Sequence, residues 1–394
     1  MKILHTSDWH LGRTLHSADL TPAFEQWCAH VIDLVRERSI DALLICGDVY
    51  DRGVPSVSTV ELFHRTLEEL ASLTTVILTS GNHDSPGRLG FGASLMRENI
   101  HIRTDSRRCG EPVELRQEGK LKALVYPIPY LDPDVERRRL AFEESEKYLE
   151  RSHEAVLAAA LERVKDNIFS GTHRGQAVAR ICMAHAFITG GEPSDSERDL
   201  HIGGVDSAPS ALFRLGSTES GPLDYVALGH LHSPQRVGIE GDPLIRYSGS
   251  PIAFSFSETR PKSSVLLHIT GGNVETELIP TPSWRPIRTL EGKLEEILTH
   301  TEARDCFLRC LITDESRPPD LTARLRHVFP YVLEIQHRRE TTATHSAPGH
   351  VVHTGVSAMK TLVRFMEEAG GRPLSAEEES ELRRAWESVN KEEN

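Results

Sequence analysis

The sequence is short of basic charge, of cysteine and of long apolar runs, and each shortage removes a class of explanation. Forty-five Lys and Arg against 58 Asp and Glu leave a formal net charge of −13 over 394 residues. That is the wrong sign for a chain that binds nucleic acid by bulk attraction to phosphate. Basic clusters at Arg107-Arg108, Arg137-Arg-Arg139 and His337-Arg-Arg339 read as solvated faces first and DNA contacts second. Six cysteines without a CxxC pair make no disulfide framework; Cys46 and Cys182 sit in apolar runs and read as buried hydrophobes in a reducing cytoplasm. No apolar run is long enough to cross a bilayer, and the chain starts in a strand without a leader-like segment, so a cytoplasmic location is expected. No GxxxxGK[ST] sequence occurs, so any ATP must be handled by a partner.

What is present is one ending, used five times. Val76-Ile-Leu-Thr79 is an apolar run that stops at Ser80-Gly81-Asn82-His83-Asp84. Alone it reads as a turn, which favours these residues for backbone reasons. However, Lys2-Ile-Leu-His-Thr6 runs into Ser7-Asp8-Trp9-His10, and Ala42-Leu-Leu-Ile-Cys46 into Gly47-Asp48. Ala179-Arg-Ile-Cys-Met-Ala184 runs into His185, and Tyr225-Val-Ala-Leu228 into Gly229-His230-Leu231-His232. Runs of this kind predict strands covered on both faces, and ligands collect outside the carboxyl ends of such strands. Singly, Asp8-Trp9-His10 is a capping segment and His185 a core histidine; the joint occurrence defeats those readings.

The resulting inventory is Asp8, His10, Asp48, Asn82, His185, His230 and His232, with His83 left over. Seven nitrogen and oxygen donors are too many for one tetrahedral zinc and suit two ions sharing a ligand. A pair of ions roughly 3.5–4 Å apart clamps an in-line displacement at phosphorus. Asp48 is expected to bridge, with Asp8, His10 and His232 on one ion and Asn82, His185 and His230 on the other. Imidazole with carboxylate suits manganese, iron or zinc, and manganese best if positions stay open for water and substrate.

The motifs Asp8-Trp9-His10, Gly47-Asp-Val-Tyr-Asp51, Gly81-Asn-His-Asp84, His185 and Gly229-His-Leu-His232 resemble, in order, the signature of the calcineurin-like metallophosphoesterase superfamily. Ile3-Leu-His-Thr-Ser-Asp-Trp-His-Leu-Gly12, Arg198-Asp-Leu-His-Ile-Gly-Gly204, and Tyr247-Ser-Gly-Ser-Pro-Ile252 with Ser255-Phe-Ser-Glu258 resemble, more narrowly, nuclease subunits of the bacterial SbcCD type. The resemblance implies two Mn2+ on the seven ligands and phosphodiester hydrolysis in DNA. It implies double-strand exonuclease and single-strand or hairpin endonuclease activity in DNA replication, repair and recombination, under ATP control by the SMC-like ATPase SbcC. It makes His83 catalytic without being a ligand, with Asp51 its orienting partner and Asp84 the second candidate. A cationic imidazole beside a leaving alkoxide stabilises the charge that develops there. Asp48-Val-Tyr-Asp-Arg52-Gly with Gly81-Asn-His-Asp84 is also close to the protein serine/threonine phosphatase pattern, in which Arg52 would hold phosphate. A phosphomonoesterase is therefore the alternative enzyme; a non-catalytic DNA-end scaffold would be expected to lack ligands or His83, and all are present.

Strand alternating with helix predicts an α/β fold: a two-sheet αββα metallophosphoesterase sandwich over residues 1–282. Helices are expected from a Thr21 cap with Pro22 at the first turn, from Ser56 to Leu70, and over about Glu143 to Asp166, with Ser, Gly and Pro-rich loops over much of 189–222. In the resembled family the early helices form a homodimer interface within a heterotetramer. After Pro282 the order strand, helix, strand, helix, strand (286–291, 293–300, 306–313, 321–329, 332–337) predicts a small α/β domain over 283–339, a DNA-capping domain by resemblance. Residues 340–354 read as a linker. The remainder, 355–394, reads as a helix pair with a capping box at Ser375-Ala-Glu-Glu378, docking onto the ATPase by resemblance.

Overall fold

A computed structural model describes residues 1–141, 148–197, 207–217 and 221–338, together with Ser375, Glu378 and Leu382. The expected linker, most of the C-terminal helix pair and the stretch 198–204 lie outside the described residues. The chain divides into two units, 1–339 and 340–394. In the second, Ser375 and Glu378 exchange the two hydrogen bonds of a capping box, Ser375 N to Glu378 Oε2 at 2.8 Å and Glu378 N to Ser375 Oγ at 3.3 Å.

Two six-stranded sheets build most of the first unit. One has Lys2–Thr6, Ala42–Cys46, Thr75–Thr79 and Ile100–Arg103 in parallel, extended by the antiparallel Ser263–Thr270 and Asn273–Pro280. The other has Lys120–Pro127, Ala179–His185, Tyr225–Gly229 and Leu244–Tyr247 in parallel, with antiparallel edges at Val113–Gln117 and Gln235–Val237. Side chains alternate across a strand, and here both faces are apolar. Ala42, Leu44 and Cys46 meet Ile181, Met183 and Tyr225 between the sheets. Leu43 and Ile45 face Phe24, Trp27 and Val31 of the helix Thr21–Arg38. On the far side Cys182, Ala184 and Val226 pack on Val156, Ala160 and Val164 of the helix His153–Ser170. Helix, sheet, sheet, helix is the expected layering. One histidine lies between the sheets: His5 pairs with the Tyr225 hydroxyl (2.9 Å) and the Leu228 carbonyl (3.1 Å).

Two helix starts differ from expectation. Leu20, not Thr21, holds the N-cap position of the first helix, and Asp19 just before it accepts from Thr21 N at 2.9 Å and Thr21 Oγ1 at 2.6 Å. Of the helix expected from Glu143, residues 143–147 lie outside the described residues; the described helix is His153–Ser170, started by Ser152, which accepts from Ala155 N at 3.1 Å. A charged stretch favours helix by composition, but a satisfied serine cap fixes where one begins.

The strands Ile287–Gly292, Phe307–Ile312 and Val332–His337 form a separate parallel sheet, with Leu294, Leu308, Leu325 and Phe329 in its own core. It holds the large body through Phe307 and through Arg309, whose guanidinium lies 4.7 Å above the Phe256 ring. All six cysteines are free and buried, and among the described residues no helix is long and apolar enough to cross a membrane.

Candidate dinuclear metal centre

The five strand ends open at one crevice between the two sheets. Trp9 is fully buried against Trp27 and Phe63, its Nε1 donating to Thr6 Oγ1 at 3.0 Å, and left-handed backbone at Asp8 and His10 turns the chain on either side of it. The neighbouring turn is stitched on by His10 N to Asp48 O (2.9 Å) and Leu11 N to Val49 O (3.0 Å). Asp84 ties in the third, accepting from Val49 N, Tyr50 N and Gly81 N at 2.9–3.1 Å. Gly81 is required by this packing, since a Cβ there would sit 2.2 Å from Asp48 Oδ1. Gly47 is held at φ +79°, where a Cβ would strike His185 Nδ1 at 2.3 Å.

Around Asp48 the side chains close in. Its Oδ2 is 3.5 Å from His10 Nε2 and 3.4 Å from His185 Nε2. His10 Nε2 faces His232 Nε2 at 3.0 Å. Asn82 Oδ1 lies 3.0 Å from His185 Nε2 and 3.2 Å from His230 Nδ1. Asp8 receives the His230 amide on both carboxylate oxygens, at 3.0 and 3.1 Å. Two groups with metal-ligand spacing result, Asp8 with His10 and His232, and Asp8 with Asp48 and His185; a third joins His10, Asp48 and His83. These groups place Asp8, His10, Asp48, His185 and His232 together with His83 alongside, and Asn82 and His230 join them by their contacts with His185 and Asp8; Asp8 as well as Asp48 is shared between groups. Asp8, His10 and Asp48 have φ of 54°, 45° and 49°, and His230 has 109°, conformations that side-chain-bearing residues seldom adopt.

The electrostatics ask for cations. Burial pushes the Asp8 carboxyl up to about 6 and His230 down to about 3, and drives His10 well below the usual imidazole range. For Asp48 and His185 burial is opposed by their mutual attraction, which holds Asp48 well below the carboxylate range and His185 up to about 9. Two imidazole nitrogens 3.0 Å apart cannot both offer lone pairs to each other, and the buried His10 Nδ1 and Asn82 Nδ2 have no hydrogen-bond partner. A mixed imidazole, amide and carboxylate set with these properties fits divalent metal.

His83 is held differently from expectation. Its Nδ1 lies 2.8 Å from the backbone carbonyl of Asp51, while the Asp51 carboxylate is 4.0 Å away. That carboxylate instead sits among His10 Nδ1 (3.7 Å), Arg13 Nε (3.8 Å) and Arg52 Nε (3.5 Å). Asp84 spends its oxygens on the three amides. The Arg52 side chain is 78% exposed.

Sequence reasoning missed the groups behind His232. Ser196 Oγ is 2.5 Å from His232 Nδ1 and 2.6 Å from Glu258 Oε1, and Glu197 accepts the His232 amide at 2.6 Å. Ser255-Phe-Ser-Glu258 was the available signal, a stretch shared with the resembled subunits but without a role.

The family model for calcineurin-like phosphoesterase matches residues 1–234. A second, the SbcD_C model, described as the type 5 capsule protein repressor C-terminal domain, matches residues 283–369. Among solved structures, a dimetal phosphatase from Danio rerio is 11% identical, the match covering 72% of this chain and 99% of that one at a TM-score of 0.40. GAP50, the anchor in the inner membrane complex of Plasmodium, is 9% identical, with 88% and 99% covered at a TM-score of 0.40. With a phosphoesterase match over more than half of its length and an SbcD-type domain behind it, the chain belongs to the calcineurin-like metallophosphoesterase family.

Proposed function

We propose that this chain is a manganese-dependent DNA nuclease that cleaves phosphodiesters at DNA ends together with an SMC-like ATPase of the SbcC type. The observation that carries the reading is His83, set beside Asp48 and His10 but fastened through Nδ1 to the Asp51 carbonyl. A carbonyl only accepts, so Nδ1 carries a proton and Nε2 is the nitrogen available to a leaving oxygen. Asp8, His10, Asp48, Asn82, His185, His230 and His232 would hold two cations. When bound, these supply Lewis-acid activation of the phosphodiester and of the attacking water. His83, protonated at Nε2, then gives its proton to the departing sugar oxygen, and the Asp51 carbonyl keeps the ring aimed.

Arg52 speaks against the phosphomonoesterase alternative: the side chain that would grip a terminal phosphate is mostly in solvent and faces Asp51. Residues 283–339 serve in this reading as the DNA-capping domain, and 355–394 as the ATPase-docking segment. A homodimer is supported by the exposed apolar side chains of Val54, Val60, Phe91 and Met96, which line one surface depression beside the helix Val57–Leu73. Soluble proteins rarely leave such a patch uncovered.

The test is incubation with Mn2+ and an end-labelled linear duplex, beside para-nitrophenyl phosphate, with His83→Ala as the matched control. Duplex degradation lost in the variant, with little monoester turnover, supports the nuclease. Rapid monoester turnover with intact DNA, both alone and with the ATPase partner, overturns it.

A further inference from the structure

Behind His232 lies a chain of polar groups that reaches into the body of the protein. Lys262 Nζ donates to Glu258 Oε2, to the His232 carbonyl (2.7 Å) and to Ser250 Oγ (2.9 Å). Glu258 Oε1 accepts from Phe254 N at 2.9 Å and from Ser196 Oγ at 2.6 Å. Ser196 Oγ meets His232 Nδ1 at 2.5 Å, whereas Glu258 Oε1 itself is 3.8 Å from that nitrogen. The serine therefore bridges a gap that the carboxylate does not cross. Its backbone is pinned by Arg13, which donates from Nη2 to the Ser196 carbonyl at 2.5 Å.

Proton counting fixes the direction of the chain. Every partner of Glu258 is a donor, so its carboxylate is an acceptor throughout. Ser196 has one hydroxyl proton, and Glu258 takes it. The neighbouring Ser194 hydroxyl, 2.9 Å from Ser196 Oγ, gives its own proton to Glu197 Oε2 at 2.7 Å. Ser196 Oγ can then meet His232 only as an acceptor, which requires a proton on Nδ1. Nε2 is left with its lone pair, facing His10 Nε2 and the Asp8 side of the crevice.

We propose that Ser196 and Glu258 are positioning residues that lock His232 in the Nδ1–H tautomer and present its Nε2 lone pair to one of the two cations. The proposal rests on the reading of His232 as a ligand. It gives the Ser255-Phe-Ser-Glu258 stretch a task, and it makes the loop carrying Ser196 part of the metal centre. Outer partners of ligating imidazoles typically change metal affinity about 10–100-fold when removed.

The experiment is titration of the metal-free full chain with Mn2+ alone, followed by calorimetry, for the wild type, Ser196→Ala, Ser196→Thr, Glu258→Gln and His232→Ala. Thermal melts exclude unfolded variants from the comparison. We expect Ser196→Ala to weaken one metal equivalent about 10–100-fold and leave the other, Ser196→Thr to restore it, and Ser196→Ala to add nothing in a His232→Ala background. Wild-type affinity in folded Ser196→Ala overturns the relay. Wild-type affinity in His232→Ala overturns the ligand reading instead, so the two failures are distinct. Nitrogen-15 NMR of labelled histidine reads the tautomer independently: an Nε2–H His232 in the metal-free wild type overturns the proposal even if Ser196→Ala does not fold.

Discussion

The large body has parallel strands at the heart of both its sheets and the small domain is wholly parallel, yet among the described residues only the large body gathers groups with metal-ligand spacing at its strand ends. In the small domain Ile287–Gly292, Phe307–Ile312 and Val332–His337 finish on polar groups that satisfy one another, His337 Nε2 meeting the Asp314 carbonyl at 2.8 Å and Arg338 N the Ile312 carbonyl at 2.8 Å. A single sheet presents its ends in a row, and neighbours in a row cap each other. In the large body two sheets face each other across a packed layer, and their ends meet from opposite sides. The first sheet contributes every oxygen donor, Asp8, Asp48 and Asn82, with His10; the second contributes His185, His230 and His232. In this chain the candidate site forms where strand ends from two sheets meet.

The most damaging way to break the contrast is Asp48→Ala, which removes the carboxylate proposed to bridge the two ions and lying 3.5 Å from His10 Nε2 and 3.4 Å from His185 Nε2. Metal content by elemental analysis should fall from two equivalents toward none, and hydrolysis of bis-para-nitrophenyl phosphate to background; retention of both ions would mean that the halves are independent. His83→Ala should lower turnover about 10²–10⁴-fold, the usual worth of a general acid, while both metals remain by the same analysis. A loss of metal in that variant would make His83 a ligand.

On the other side of the comparison, Leu325→Ala empties a fully buried position in the small domain and should cost about 2–5 kcal/mol in urea denaturation. Metal content should not change; if it does, the two regions share their stability. The most gradual effect, spread over several pH units, sharpens the layer between the sheets. Burial lowers the His5 pKa to about 3, against about 6.5 in the unfolded chain. Between those values only the unfolded chain takes the proton, so the contribution is complete above about pH 6.5 and is lost as pH falls toward 3. Relative to His5→Gln, the wild type should lose about 1.4 kcal/mol more per pH unit in the middle of that window, measured by urea denaturation; parallel slopes would show that His5 is not the group responsible.

The strand ends were readable because burial on both faces forces apolar runs, against which Asp8, Asp48, Asn82 and the histidines stand out. The role of Asp51 was only half readable: the family resemblance points to the residue beside His83 but does not reveal that its carbonyl, rather than its carboxylate, makes the bond. Ser196 gave no signal, since it lies in an irregular loop where neither period nor flanking strand marks it. The start of the helix His153–Ser170 was hidden by acidic residues that favour helix, until the cap at Ser152 decided it.

Asp8, His10 and Asp48 sit in left-handed backbone and His230 at a rarer φ of 109°, each a conformation that costs about 1–3 kcal/mol outside glycine. Glycine at any of the four would release that backbone cost while removing a candidate ligand. Stability and metal binding therefore pull in opposite directions at these positions, and the metal-free chain is the state that bears the cost.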